Sequence, residues 1–99
     1  MVVGKFVHAN DVISPKQYWS LIAVLKDEGA GAGVLAVGRW ENKLVLAMRW
    51  NGGGDSPIGN PQSRGLPTWF IVPDFYVEAI LSTLSGDKLA LALNFFPTK

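Results

Sequence analysis

Three arginines, Arg39, Arg49 and Arg64, fall within 26 consecutive residues, among Trp40, Trp50 and Trp69, whereas the six lysines are spread along the chain. A guanidinium presents a planar fork that suits carboxylates, phosphates and aromatic faces, so its segregation from lysine points to pairing geometry. The chemistry available is anion recognition, or the stacking of single-stranded nucleic acid on Trp40, Trp50, Trp69 and Phe70. Arg49, Asn51, Asp55, Asn60, Arg64 and Trp69 are the candidate ligand- or partner-binding residues. Against this stands a plain alternative, in which the arginines pair within the fold with Glu41, Asp55, Asp74 or Glu78. Trp40 and Trp50 read as core residues, which leaves Trp69 as the aromatic best placed for a contact.

Catalytic chemistry finds less support. His8 is the sole histidine and there is no cysteine, so a zinc or iron site lacks its usual imidazole and thiolate ligands. A triad from His8, Asp11 and a serine, or a carboxylate pair from Asp55 with Asp74 or Glu78, is drawable in almost any chain. No catalytic residue, metal site or cofactor is assigned, and a small enzyme using His8 or the loop carboxylates is the weakest reading. The glycines match no phosphate-binding motif: Gly54 and Gly59 have Walker spacing, but Asn60 and Pro61 stand where Lys and Ser/Thr are needed. Gly52-x-Gly54 fails as a dinucleotide fingerprint because Pro57 follows.

Those glycines belong to the sequence's most unusual segment, the 17 residues from Asn51 to Pro67. Unstructured connections beyond about 12–15 residues are uncommon in small domains unless functional or disordered. Gly52-Gly53-Gly54 alone suggests a flexible connection. Pro57, Pro61 and Pro67 preset φ at intervals and lower the entropy of the unfolded chain, which favours an ordered loop.

The flanking elements follow from periodicity. Val2–His8 reads as a strand. Ser14 to Gly29 reads as a helix: Ser14 as cap, Pro15 at the first position, Gln17 completing a capping box, and Tyr18, Leu21, Ile22 and Leu25 forming a stripe. Residues 33–50 read as a hairpin. A three-residue loop, Glu41-Asn42-Lys43, sets Trp40 opposite Leu44 and gathers Val34, Ala36, Trp40, Leu44, Leu46, Met48 and Trp50 on one apolar face. A two-residue loop is disfavoured because it moves Arg39 onto the face of Leu46 and Met48. The other face then holds Arg39 and Arg49 among Leu35, Val37, Val45 and Ala47, which suggests partial cover. Thr68–Val72 reads as a strand. A helix starts at Asp74, carries Val77, Ile80, Leu81 and Leu84, and ends at Gly86. Residues 88–96 alternate large and small apolar side chains as a strand would, with a helix as the alternative.

The fold class that follows is α+β: one domain, residues 1–99, with a mostly antiparallel sheet and two helices on one face, in the order β-α-β-β-loop-β-α-β. Such an arrangement leaves the other sheet face bare. With 48% hydrophobic residues, that face predicts self-association as a dimer. A formal net charge of +1 gives no general field for polyanions. The leading expectation is a non-catalytic interaction protein that self-associates through a sheet face and offers loop 51–67 to a protein or small ligand. The alternative is anion or nucleic-acid binding through Arg39, Arg49 and Arg64. No apolar run reaches the roughly 18 residues of a membrane span, and the reading is cytoplasmic.

Overall fold

Trp19–Asp27 (β1), Gly33–Trp40 (β2) and Lys43–Trp50 (β3) form an antiparallel meander in the computed structural model, which describes residues 6–54 and 56–97. Gln62–Ser63 (β4) and Leu66–Pro67 (β5) make a small separate hairpin. Phe70–Ile71 (β6) then returns beside β3, so the main sheet has the order β1-β2-β3-β6. Two helices follow, Asp74–Leu81 (α1) and Gly86–Phe95 (α2). The architecture is α+β with an antiparallel sheet, and both helices pack on one of its faces.

Two elements exchange the identities that periodicity suggests for them. The segment read as a capped helix over 14–29 is the edge strand β1, and Ser14–Pro15 is a cis bond within a turn where Tyr18 and Trp19 donate to the Pro15 carbonyl. The cause lies in two register irregularities, between Leu21 and Ala23 and between Val24 and Lys26. Each adds a residue to the strand, so side chains on one face recur after three residues as well as two, which imitates a helical stripe. The supposed stripe is in fact divided: Leu25 packs with the helices, Leu21 against the opposite face, and Tyr18 and Ile22 are exposed. The segment read first as a closing strand, 88–96, is α2. Leu and Ala are strong helix formers, and Leu89, Ala92 and Phe95 reach the core at helical spacing.

The hairpin register also differs from the expected one. Trp40 lies opposite Lys43, and Glu41-Asn42 alone make the turn, both with positive φ (49° and 70°), as a type I′ turn requires. Arg39 therefore does sit opposite Leu44, at the exposed end of the sheet where its charge stays in water. The burial argument for the other register presumes one wet face. Here both faces of β2 and β3 are buried, so burial does not distinguish the two registers.

One face, with Val34, Ala36, Val45 and Ala47, lies beneath Trp19, Trp69, and Ala9 and Val12 of the N-terminal segment. Trp19 covers it closely enough that a Cβ on Gly38 would collide with the indole ring. The opposite face, with Leu35, Val37 and Leu46, meets Leu81, Leu84 and Ala92 of the helical layer. Fully burying a side chain such as Leu46 contributes about 1.5–3 kcal/mol. The bare face expected from the sequence is thus roofed by the chain itself. Residues 2–5 of the strand expected at 2–8 lie outside the described residues; of the remainder, Val7 donates to the Pro57 carbonyl at 2.9 Å and is not in a strand. Among the described residues no helix is long and apolar enough to cross a membrane.

Candidate functional site

In its described residues the 51–67 segment is an excursion between β3 and β6 closed by its own hydrogen bonds; Asn51 is buried, whereas Ser56, Asn60, Gln62, Ser63 and Arg64 are exposed. Trp50 and Asn60 exchange backbone hydrogen bonds of 2.8 and 3.1 Å, which closes the first part of the loop on itself. The Thr68 amide donates to the Pro61 carbonyl at 3.0 Å and closes the second part. Gly59 (φ +64°) sits inside the first turn, where a Cβ would strike the Trp50 carbonyl. Glycine is needed there for conformation and for space.

Arg49 lies at the centre of this excursion and is only 4% exposed. Its guanidinium donates through Nη1 to the carbonyls of Thr68 (2.5 Å) and Pro61 (3.4 Å), and through Nη2 to that of Ile58. Among the described residues no carboxylate pairs with it. The loop thus supplies a ring of carbonyl dipoles, and the arginine meets their hydrogen-bonding demand from within. Burial pulls its pKa below the ordinary arginine range, yet an arginine remains a cation at neutral pH.

Asn51 ties the other end. It is buried, its Nδ2 donates to Asp27 Oδ1 (2.8 Å) and the Gly29 carbonyl (2.7 Å), and its amide donates to the Ala32 carbonyl at 2.9 Å. Because both side-chain partners accept, they fix which amide atom points at them. Trp69, read from the sequence as the contact tryptophan, is 8% exposed. Its ring lies 5.8 Å from that of Trp19, and its Nε1 donates to the Val12 carbonyl at 2.7 Å. That bond holds the loop's exit against the N-terminal segment.

The candidate residues are therefore dispersed. Arg49, Asn51 and Trp69 face inward as fasteners, Asn60 and Arg64 are exposed, and Asp55 lies outside the described residues. Arg39 and Arg49 occupy opposite faces of the hairpin, and Arg64 sits at the β4–β5 turn. His8 is exposed and stacks loosely on Phe6, with ring centroids 6.4 Å apart. Asp74 pairs with Lys43 at 2.8 Å on the surface; such an exposed pair contributes little.

Surface features that periodicity did not single out lie on either side of the loop. On the helix-side sheet face, the helices stop short of the end of β3. A groove of about 390 Å³ opens there, floored by Leu35 and Met48 and walled by Trp50, Phe70 and Ile80. Trp50 is 60% exposed and Phe70 53%. Trp50 lies opposite Gly33, which gives it no cross-strand side chain to pack on. Lys26 and Glu28, near the end of β1, also line this groove. The signal for it was Asn42, whose tolerance of positive φ suits a two-residue turn and so sets Trp50 opposite Gly33.

The second feature is the tip of the β4–β5 hairpin. Arg64 and Gly65 make its turn with φ of 52° and 79°. Asn, Asp or Gly usually fill the first of these positions, and an arginine there costs on the order of 1 kcal/mol. No protein-family model, curated protein or solved structure matches this chain.

Proposed function

We propose that the protein is a non-catalytic interaction module that self-associates as a homodimer through the Trp50–Phe70 groove. The reading keeps the sheet-face dimer expected from the sequence and moves it to the uncovered end of the helix-side face. A cytoplasmic setting belongs to the same reading. The supporting observation is the exposure of two large aromatic side chains along one apolar groove, although the centre of the sheet is roofed on both sides. Exposed aromatics lining a concave patch are the usual anchors of an interface.

A second copy is the occupant that the charges favour. A two-fold interface must be complementary to itself, and the groove's exposed charges are one cation, Lys26, and one anion, Glu28, the other cation of its lining, Arg49, being buried and bonded to loop carbonyls. A two-fold axis passing between them brings each opposite its counterpart of opposite charge. Loop 51–67 takes part by contributing Pro61 to the groove and by holding Trp50 in place through Asn60.

Light scattering across a hundredfold dilution, together with the variants Trp50→Ser and Phe70→Ser, tests the reading. A dimer mass that falls to monomer on dilution is expected, with both variants monomeric and their melting transitions intact. A wild-type monomer at every concentration, or variants that stay dimeric, contradicts it.

A further inference from the structure

We infer that the cleft between the β4–β5 hairpin and the turn at residues 14–17 is a binding site for a small organic phosphate monoester. The cleft has a volume of about 370 Å³ and shares no lining residue with the Trp50–Phe70 groove. Its two charged linings are Lys16 and Arg64, both cations and both exposed. Among the described residues neither is in a salt bridge, and no acidic residue lines the cleft. Two uncompensated cations in one concavity call for an anion, and a phosphate monoester carries close to two negative charges at neutral pH.

The linings also indicate how such a ligand would sit. Arginine offers a planar fork for phosphate oxygens and lysine a mobile point charge, a pairing suited to a phosphoryl group. Ser14 and Ser63 add hydroxyls from the two sides of the cleft. Pro15 and Leu66 supply an apolar wall, and Leu66 is 55% exposed. The volume falls within the roughly 300–1,000 Å³ range of small-molecule sites, more than a bare phosphate fills. The ligand class is therefore a phosphate carried on an apolar or aromatic body.

The walls are fixed by bonds already described. Trp69 Nε1 on the Val12 carbonyl draws the chain after the hairpin toward the segment that leads into the 14–17 turn. Arg49 on the carbonyls of Pro61 and Thr68 holds the base of the hairpin on both sides. Arg64 occupies a backbone conformation better suited to glycine, so a side chain is present where local geometry alone favours none.

That last point supplies the decisive variant. Arg64→Gly removes the guanidinium while relieving the turn, so it folds at least as well as the parent. Calorimetric titration with phenyl phosphate and, separately, with inorganic phosphate at low ionic strength reads the site. The expected result is saturable binding of phenyl phosphate that weakens with added salt. Arg64→Gly and Lys16→Ala should each weaken it by about tenfold or more, with melting temperatures held, and inorganic phosphate should bind more weakly than the ester. Absence of phenyl phosphate binding at millimolar concentration overturns the inference, as does binding unaffected by both substitutions. Equal affinity for the two ligands overturns the assignment of the apolar body.

Discussion

Arg49 Nη1 donates to the carbonyl of Thr68 at 2.5 Å, across 19 residues, and so joins the end of β3 to the entrance of β6. The bond makes a long Gly/Pro segment part of the fold. A cation inside a ring of carbonyls needs no acidic partner, because the dipoles it faces are those left unpaired where the chain departs from sheet geometry.

Arg49→Met keeps much of the side chain's length and apolar stem but leaves the carbonyls of Ile58, Pro61 and Thr68 without their donor. Each buried acceptor left unpaired costs about 1–3 kcal/mol. Relaxation that lets water in recovers part of this, so chemical denaturation should show a loss of about 2–4 kcal/mol. Arg49→Lys should recover only part of it, since an ammonium cannot reach three divergent carbonyls through a fork.

Gly59→Ala and Gly54→Ala separate collision from conformation. Both positions have positive φ, but a Cβ at Gly54 meets open space, whereas at Gly59 it meets the Trp50 carbonyl and the Arg49 guanidinium. The expected losses are about 1 kcal/mol at Gly54 and about 2–4 kcal/mol at Gly59, where overpacking adds to the backbone cost. Equal losses from paired denaturation curves would refute the close approach.

Trp69→Phe keeps an aromatic ring at the site but removes the Nε1 donor to Val12 together with about a third of the ring atoms. A loss of about 2–4 kcal/mol in denaturation is expected, from the acceptor left alone and the cavity left by the smaller ring. A neutral substitution would show that the N-terminal segment is held by packing only.

Collisional quenching reads which tryptophan faces solvent. Trp50 is exposed whereas Trp19 and Trp69 are buried, so Trp50→Phe should remove most of the emission that a polar quencher reaches. If Trp69→Phe removes it instead, the placement of Trp50 at the surface and of Trp69 in the core is wrong.

The sequence made some of this legible and hid the rest for identifiable reasons. Helix α1 announced itself through Val77, Ile80 and Leu81, which pack toward the sheet; it stops at Leu81, Leu84 joins that core from the connection, and Gly86, read as its end, opens α2. The prolines of loop 51–67 spoke for order, and the loop is ordered by contacts along its length. What periodicity cannot register is a bulge: β1 acquires a helix-like spacing from two extra residues. Nor can it fix a register when both faces of a hairpin are apolar, or tell that the helices leave Trp50 uncovered while the N-terminal segment and Trp19 cover Trp69. The inward turn of Arg49 carries no local signal, because its partners are carbonyls, and every residue has one. Lys16 and Arg64 lie 48 residues apart in sequence, and only the path imposed by Trp69 and Arg49 brings them to one cleft.

Amide hydrogen exchange at Asn60 and Thr68 tests most directly whether Arg49 folds the loop. Their amides donate to the carbonyls of Trp50 and Pro61, and they should exchange orders of magnitude more slowly than a free chain. In Arg49→Met that protection should fall sharply while Val37 and Leu46, in the sheet interior, keep theirs. Free-chain exchange at both amides in the unaltered protein, or protection indifferent to Arg49→Met, would contradict the account.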